Sequence, residues 1–281
     1  MKLKQVSRYF DTCPVYDAYS GQLLFKVQTA NFMERATEGS TATRRVISVD
    51  PSITMPTHSC ILALDQILIV GGGNPDEWNG EAIRQAYWVK LATDTMTLLT
   101  GGQAAERATG TPIFGSKKYS RGVANGGTDS ELDPYWKISV SANTNALRGY
   151  FLKSGSTLYR VRLEYNDVDG FKTLESDEVD EPNLYVSFTT GQRYDAITDT
   201  YTPAYNTTTG IALDYSKVYT KIAATDIKPE LGDICMLISI NSITPKAGQQ
   251  LSVQEGKYKG AWRVLSTILE NDAWKLHIRR A

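Results

Sequence analysis

Apolar and polar residues alternate with a period of two along much of this chain, most cleanly over residues 157–174. There Leu158, Arg160, Arg162 and Glu164 interleave with Tyr159, Val161, Leu163 and Tyr165, the pattern of a strand with one apolar face. Asn166-Asp-Val-Asp-Gly170 then supplies turn residues that tolerate positive φ, so the stretch predicts a β-hairpin. Shorter runs predict strands over 21–28, 46–49, 137–140, 147–152, 184–188, 235–240, 261–268 and 274–279. Residues 60–70 read as two strands about Asp65-Gln66, or as one strand with a bulge.

Three segments break the alternation. Residues 34–45 read as an exposed loop, and the Thr- and Tyr-rich residues 189–213 as another. Residues 101–134, rich in Gly, Ser, Thr and Asn, read as a long loop or linker between lobes. One helix is predicted over 81–92: Asn74 before Pro75 offers a cap, and Ile83, Tyr87 and Leu91 fall four apart; a strand over Gln85–Leu91 is the runner-up. The fold class expected is therefore mainly β, as antiparallel barrel or sandwich units with long loops and at most one or two short helices. The domain division expected is an N-terminal β-rich lobe over 1–100, the loop over 101–134, and a C-terminal antiparallel lobe over 135–281.

Short patterns recur within the chain. Ile47-Ser-Val49 precedes Leu68-Ile-Val70 by the step separating Ile138-Ser-Val140 from Tyr159-Arg-Val161, 21 residues in each case (68 − 47 and 159 − 138). Tyr159-Arg-Val161 and Asp169-Gly-Phe171 also match Trp262-Arg-Val264 and Asp272-Ala-Trp274 at a common offset of 103 (262 − 159 and 272 − 169). Either the chain is internally repeated, or β-hairpins converge on similar patterns.

Composition narrows the function. The 281 residues carry a net charge of −1, so there is no global basic field of the kind nucleic-acid binders use. Cys13, Cys60 and Cys235 are sparse and odd in number, which argues against a disulfide framework or a thiolate zinc site. No signal peptide and no apolar run of membrane-spanning length is legible, so synthesis in a reducing cytoplasm is expected.

Candidate chemistry thins out on inspection. Ile67-Leu-Ile-Val-Gly-Gly-Gly73 mimics a dinucleotide-binding turn, but Asp76 stands where a glycine is needed, and a turn leaving a strand is the simpler reading. A calcium-loop reading of 166–170 fails because Tyr165 and Ser176 fall at the first and twelfth ligand positions. His58 and His277 are the only histidines and read as incidental, although a Ser/Cys–His–acid set remains open. Scattered acids leave paired carboxylates for glycoside cleavage equally open. Trp78, Trp88, Trp136 and the tyrosines of 194–205 could stack on sugars or bases, though core or protein contacts are their commoner use. Without a secretory signal, the acceptor pattern Asn206-Thr-Thr208 carries no weight.

Near the C-terminus a longer pattern emerges. Leu231-Gly-Asp233 opens a strand, then come Gly256-Lys-Tyr258, Trp262-Arg-Val264, Asp272, Trp274-Lys-Leu276 and Arg279-Arg280. This run resembles the small β-barrels of tailed-bacteriophage head-closure and head–tail joining proteins. Residues 65–88, with Val70-Gly71 and Arg84-x-x-Tyr87, resemble a second such unit. The likeness covers about half the chain and departs from that family in length and in the 101–134 insertion. It implies a virion structural protein, a neck or tail component forming a homo-oligomeric ring around the DNA channel. Such a protein would be made in the host cytoplasm and dock portal or tail subunits. Non-specific contact with genomic DNA would be its dealing with nucleic acid, with no membrane, cofactor, metal or catalytic activity. Partner contacts are expected at Lys2, Lys4 and Arg8 of the N-terminal arm, at Lys117, Lys118 and Arg121, and at Tyr194, Tyr201 and Tyr205. The alternatives are a carbohydrate-binding or glycan-cleaving β protein and, third, a nucleotide enzyme using Gly71–Gly73.

Overall fold

The structure, a computed structural model, describes residues 13–27, 31–36, 43–50, 52–63, 65–78, 81–99, 110–120, 135–213, 230–270 and 273–281. Every regular element among them is a strand, and every pairing is antiparallel. The mainly-β expectation holds.

A first sheet contains β1 (Cys13–Asp17), β2 (Leu23–Val27), β3 (Asn31–Ala36), β4 (Thr43–Val49), β5 (Cys60–Ala63), β6 (Gln66–Trp78) and β7 (Glu81–Leu91), in the order β2-β1-β5-β6-β7-β4-β3. One core reaches from Phe25 of β2 to Ile47 of β4, so the sheet curls round it into a barrel. The second sheet contains β8 (Asp94–Leu99), β9 (Gly110–Ser120), β10 (Tyr135–Ser141), β11 (Phe151–Ser154), β12 (Thr157–Asn166), β13 (Phe171–Asp195), β14 (Thr200–Leu213), β15 (Ile234–Ser239), β16 (Gln250–Val253), β17 (Gly260–Glu270) and β18 (Ala273–Arg280).

Two extra pairings, β10–β13 and β13–β16, fold that second sheet into two closed rings. One runs β8-β9-β10-β13-β12-β11 and returns to β8. The other runs β13-β14-β15-β18-β17-β16 and returns to β13. The 25-residue strand β13 belongs to both. Closure removes the open edges that an isolated sheet would expose.

The three barrels share one plan and one local geometry; the match of Tyr159-Arg-Val161 to Trp262-Arg-Val264 keeps its offset of 103, whereas the register sets Phe171 level with Ala273 rather than with Trp274. Leu68, Tyr159 and Trp262 hold the same place in successive barrels, each followed two residues on by Val70, Val161 or Val264. His58 donates its amide to the Val70 carbonyl (3.0 Å), Gly149 to Val161 (2.8 Å) and Gly248 to Val264 (2.7 Å). All three donors have positive φ, at 60°, 82° and 83°. A register shift follows each valine. Each barrel buries its own core: Val15, Ile47, Leu68, Val70 and Tyr87 in the first; Ile138, Leu152, Tyr159, Val161 and Leu174 in the second; Val186, Met236, Leu251, Trp262 and Leu276 in the third.

Outward-facing residues form the seams between barrels. At the first seam Phe171 packs on Cys60 and Ile69, with Trp88, Ala92 and Phe114 around them. The turn after β12 docks there: Gly72 donates its amide to the Asp169 carbonyl (2.7 Å), His58 Nδ1 meets the Gly170 carbonyl (3.0 Å), and Lys90 pairs with Asp167 (2.9 Å). The second seam gathers Leu99, Phe151, Leu158, Val179, Ile211, Leu213, Cys235, Leu237 and Ala273. In the third barrel the positions of Cys60 and Ile69 are taken by Gln250 and Arg263, which are exposed and polar.

Several local expectations are corrected. Residues 81–91 form β7, not a helix, and β6 runs through Trp78 past the expected cap at Asn74. Positions four apart satisfy period two as well as period 3.6. Tyr87 and Val89 face the core while Ala86 is also buried, so the segment is covered on both faces. The glycines after Val70 do not form a turn leaving the strand. They allow close approach, since a Cβ on Gly71 would lie 2.3 Å from the Asp169 carbonyl oxygen and one on Gly73 would lie 2.5 Å from the Tyr87 ring. Of the loop expected over 34–45, residues to Ala36 and from Thr43 are strand. Of that expected over 101–134, residues 110–120 are β9, which with β8 belongs to the second sheet. Its Gly115 sits where a Cβ would meet Met96 Cε at 2.2 Å. The loop expected over 189–213 is instead the end of β13 and the whole of β14.

Candidate functional site

The β13–β14 hairpin extends beyond its barrel. β13 pairs with β16 only through Val186–Phe188, and β14 with β15 only through Gly210–Leu213. From Thr189↔Tyr205 to Asp195↔Thr200 the two strands pair with each other alone. At about 3.3 Å per residue this arm reaches on the order of 20 Å. Its register puts Tyr185 (opposite Thr209), Tyr205 (opposite Thr189), Tyr201 and Tyr194 on one face. These tyrosines are 54%, 57%, 67% and 51% exposed. Tyr194 and Tyr201 face each other with ring centroids 5.2 Å apart. At the tip the Tyr194 hydroxyl donates to Asp199 Oδ1 (2.8 Å), Asp195 accepts the Ile197 amide (2.9 Å), and Ile197 is 95% exposed.

The structure thus brings together the three tyrosines expected at partner contacts and adds Tyr185, which falls in the strand expected over 184–188. The lysines lie apart from them. Lys117 is tied into the second barrel by Asp94 (2.9 Å) and Ser154 (3.1 Å), its ammonium near the Trp136 and Tyr159 rings. Lys118 is exposed, opposite Lys137 on β10. Lys2, Lys4, Arg8 and Arg121 lie outside the described residues.

Both histidines have partners in the fold. His58 bridges the first seam, and His277 belongs to a buried polar group at the start of β15 and end of β18. Its Nε2 lies 2.7 Å from Asp233 Oδ2, which also accepts the Glu230 amide (2.8 Å) and Arg279 Nη2 (2.9 Å). Arg279 Nε donates to Asp233 Oδ1 (2.7 Å) and its Nη1 to Glu230 (2.7 Å). Burial pushes the Asp233 carboxyl up, but the bonds from Arg279, the Glu230 amide and His277 outweigh it and hold the group below its ordinary value. Cys235 pairs across the ladder with His277, so thiol, imidazole and acid share one face. All three are at most 4% exposed, out of reach of a substrate. At the first seam, burial pushes the Cys60 thiol up to about 11, which keeps it protonated and a poor nucleophile at neutral pH.

Among the described residues no three His, Cys, Asp or Glu side chains gather as a metal set, and no helix is long and apolar enough to cross a membrane. Comparison with protein-family models, curated proteins and solved structures found no match.

Proposed function

We propose that this chain is a virion structural protein of a tailed phage, a neck or tail component that self-associates into a ring through the β13–β14 hairpin. The observation that carries this reading is the arm itself. A two-stranded ribbon is marginal in water on its own, and this one keeps four tyrosines on one exposed face. Tyrosine supplies large contact area at small cost in side-chain entropy, and a neighbouring subunit covering that face would order the ribbon. The triplicated barrel supplies the rigid scaffold behind it. The segments resembling head-closure and tail-joining barrels fall in the third barrel and the first, which supports the same reading.

Exposed tyrosines also stack on sugar rings, so a glycan-binding tail protein is the second reading. Sedimentation velocity of the full chain, alone and mixed with portal or tail rings, separates the two. Concentration-dependent oligomers or co-sedimentation support the first. An inert monomer that binds oligosaccharide overturns it.

A further inference from the structure

The two seams are built from equivalent positions, and comparing them exposes a site at the second. Phe171 pairs with Ser141 at the end of β10, and Ala273 pairs with Ser239 at the end of β15. Cys60 pairs with Ile69 at the start of β5, and Phe151 with Arg160 at the start of β11. At the first seam the Phe171 ring fills the space over Cys60 and Ile69, and all three are essentially fully buried. At the second, the phenyl ring is replaced by the methyl of Ala273 and the Ile69 side chain by Arg160. What remains is a cavity of about 460 Å³. Phe151, Ile211 and Leu237 form its apolar wall, and Arg148 and Arg160 both line it.

We propose that this cavity is a binding site for a small organic anion, a carboxylate or phosphate head on an apolar body. Its volume falls within the few hundred Å³ of small-molecule pockets, and it lies between two packed units, where such sites concentrate. Two arginines among the lining residues suit a planar oxyanion, because a guanidinium has five N–H donors and one already engaged keeps others for a ligand. Asp177 lies across the ladder from Arg160, and 3.7 Å from Arg162, and balances part of this charge. The site is separate from the tyrosine arm, and its failure would leave the assembly reading standing.

The test is calorimetric titration of the full chain with benzoate and with phenyl phosphate, which distinguishes the two heads, and with benzyl alcohol as an uncharged control. Saturable binding of at least one anion and none of the alcohol is expected. Ala273→Phe, which puts a phenyl ring at the place that Phe171 holds in the first seam, should abolish that binding while the protein stays folded. Arg148→Gln, at the rim in the loop before β11, serves if the filled variant does not fold, and should weaken binding about tenfold or more. Absence of saturable binding by either anion overturns the proposal. So does equal binding by the alcohol, or undiminished binding in a folded Ala273→Phe variant or in Arg148→Gln.

Discussion

His58 and Gly149 hold the same backbone position in successive barrels, one a histidine at φ 60° and the other a glycine at φ 82°. The left-handed conformation costs an L-residue roughly 1–2 kcal/mol. His58 offsets it through the Gly170 carbonyl of the next barrel, 3.0 Å from Nδ1. A carbonyl only accepts, so Nδ1 carries the proton. His58→Gly should leave the unfolding free energy within about 1 kcal/mol, strain relief and lost bond cancelling. Gly149→Ala should lower it by about 1–2 kcal/mol. Urea unfolding of the two variants checks both. A loss of several kcal/mol in His58→Gly would show that the imidazole contact dominates.

The first seam depends on a bare backbone at Gly71. A methyl there would meet the Asp169 carbonyl oxygen at 2.3 Å and the Phe171 ring at 2.8 Å, whereas one on Gly72 would lie 3.5 Å from that oxygen. Gly71→Ala is therefore expected to cost about 2 kcal/mol or more, and Gly72→Ala much less. Equal melting temperatures for the two variants would mean the seam contributes little to stability.

Asp233 ties acid stability to the end of the third barrel. A carboxyl held below its ordinary value in the folded state contributes stability that is fully present above its unfolded value, near 4, and is lost as pH falls through the folded one. Asp233→Asn should cost about 3 kcal/mol at pH 7, because it removes the buried carboxylate that His277 and Arg279 both bond. The gap between wild type and variant should then narrow below about pH 4. Unfolding curves at a series of pH values test this, and a pH-independent gap would contradict it.

On the arm, Tyr194→Ser combined with Tyr201→Ser removes the facing ring pair without touching a core. Monomer stability should change by less than about 1 kcal/mol, while self-association weakens about tenfold or more. Unchanged sedimentation profiles across a concentration series would place the subunit contact elsewhere.

Strand existence was legible wherever apolar residues alternate with polar ones, as in β12, where Tyr159 and Val161 point inward. The repeat was legible because the cores reuse one aromatic-x-valine or leucine-x-valine pair at the same place. Ring closure was not, since a strand's two neighbours leave no mark on its own period. Nor was the length of β13, whose middle carries Pro182 and a register shift that read as a break. Glycine-rich stretches misled most: Gly71, Gly73 and Gly115 look like loop or phosphate chemistry in sequence, and in the fold each makes room for a neighbour. The arm's tyrosines could be named beforehand. Their shared face required the pairing register, and the cavity required the comparison of Phe171 with Ala273.

Because β13 is a wall of two barrels at once, the chain offers no clean cut between them. A cut before Val186 would leave β12 and β16 their pairings but would part residues 179–185 of β13 from residues 209–213 of β14. Either piece would present unpaired backbone, the template for fibre-like aggregation. The first barrel has a sheet of its own and meets the second across a junction at Ala92 and Thr93. Limited proteolysis or gene dissection should therefore yield one barrel and one inseparable pair, never three.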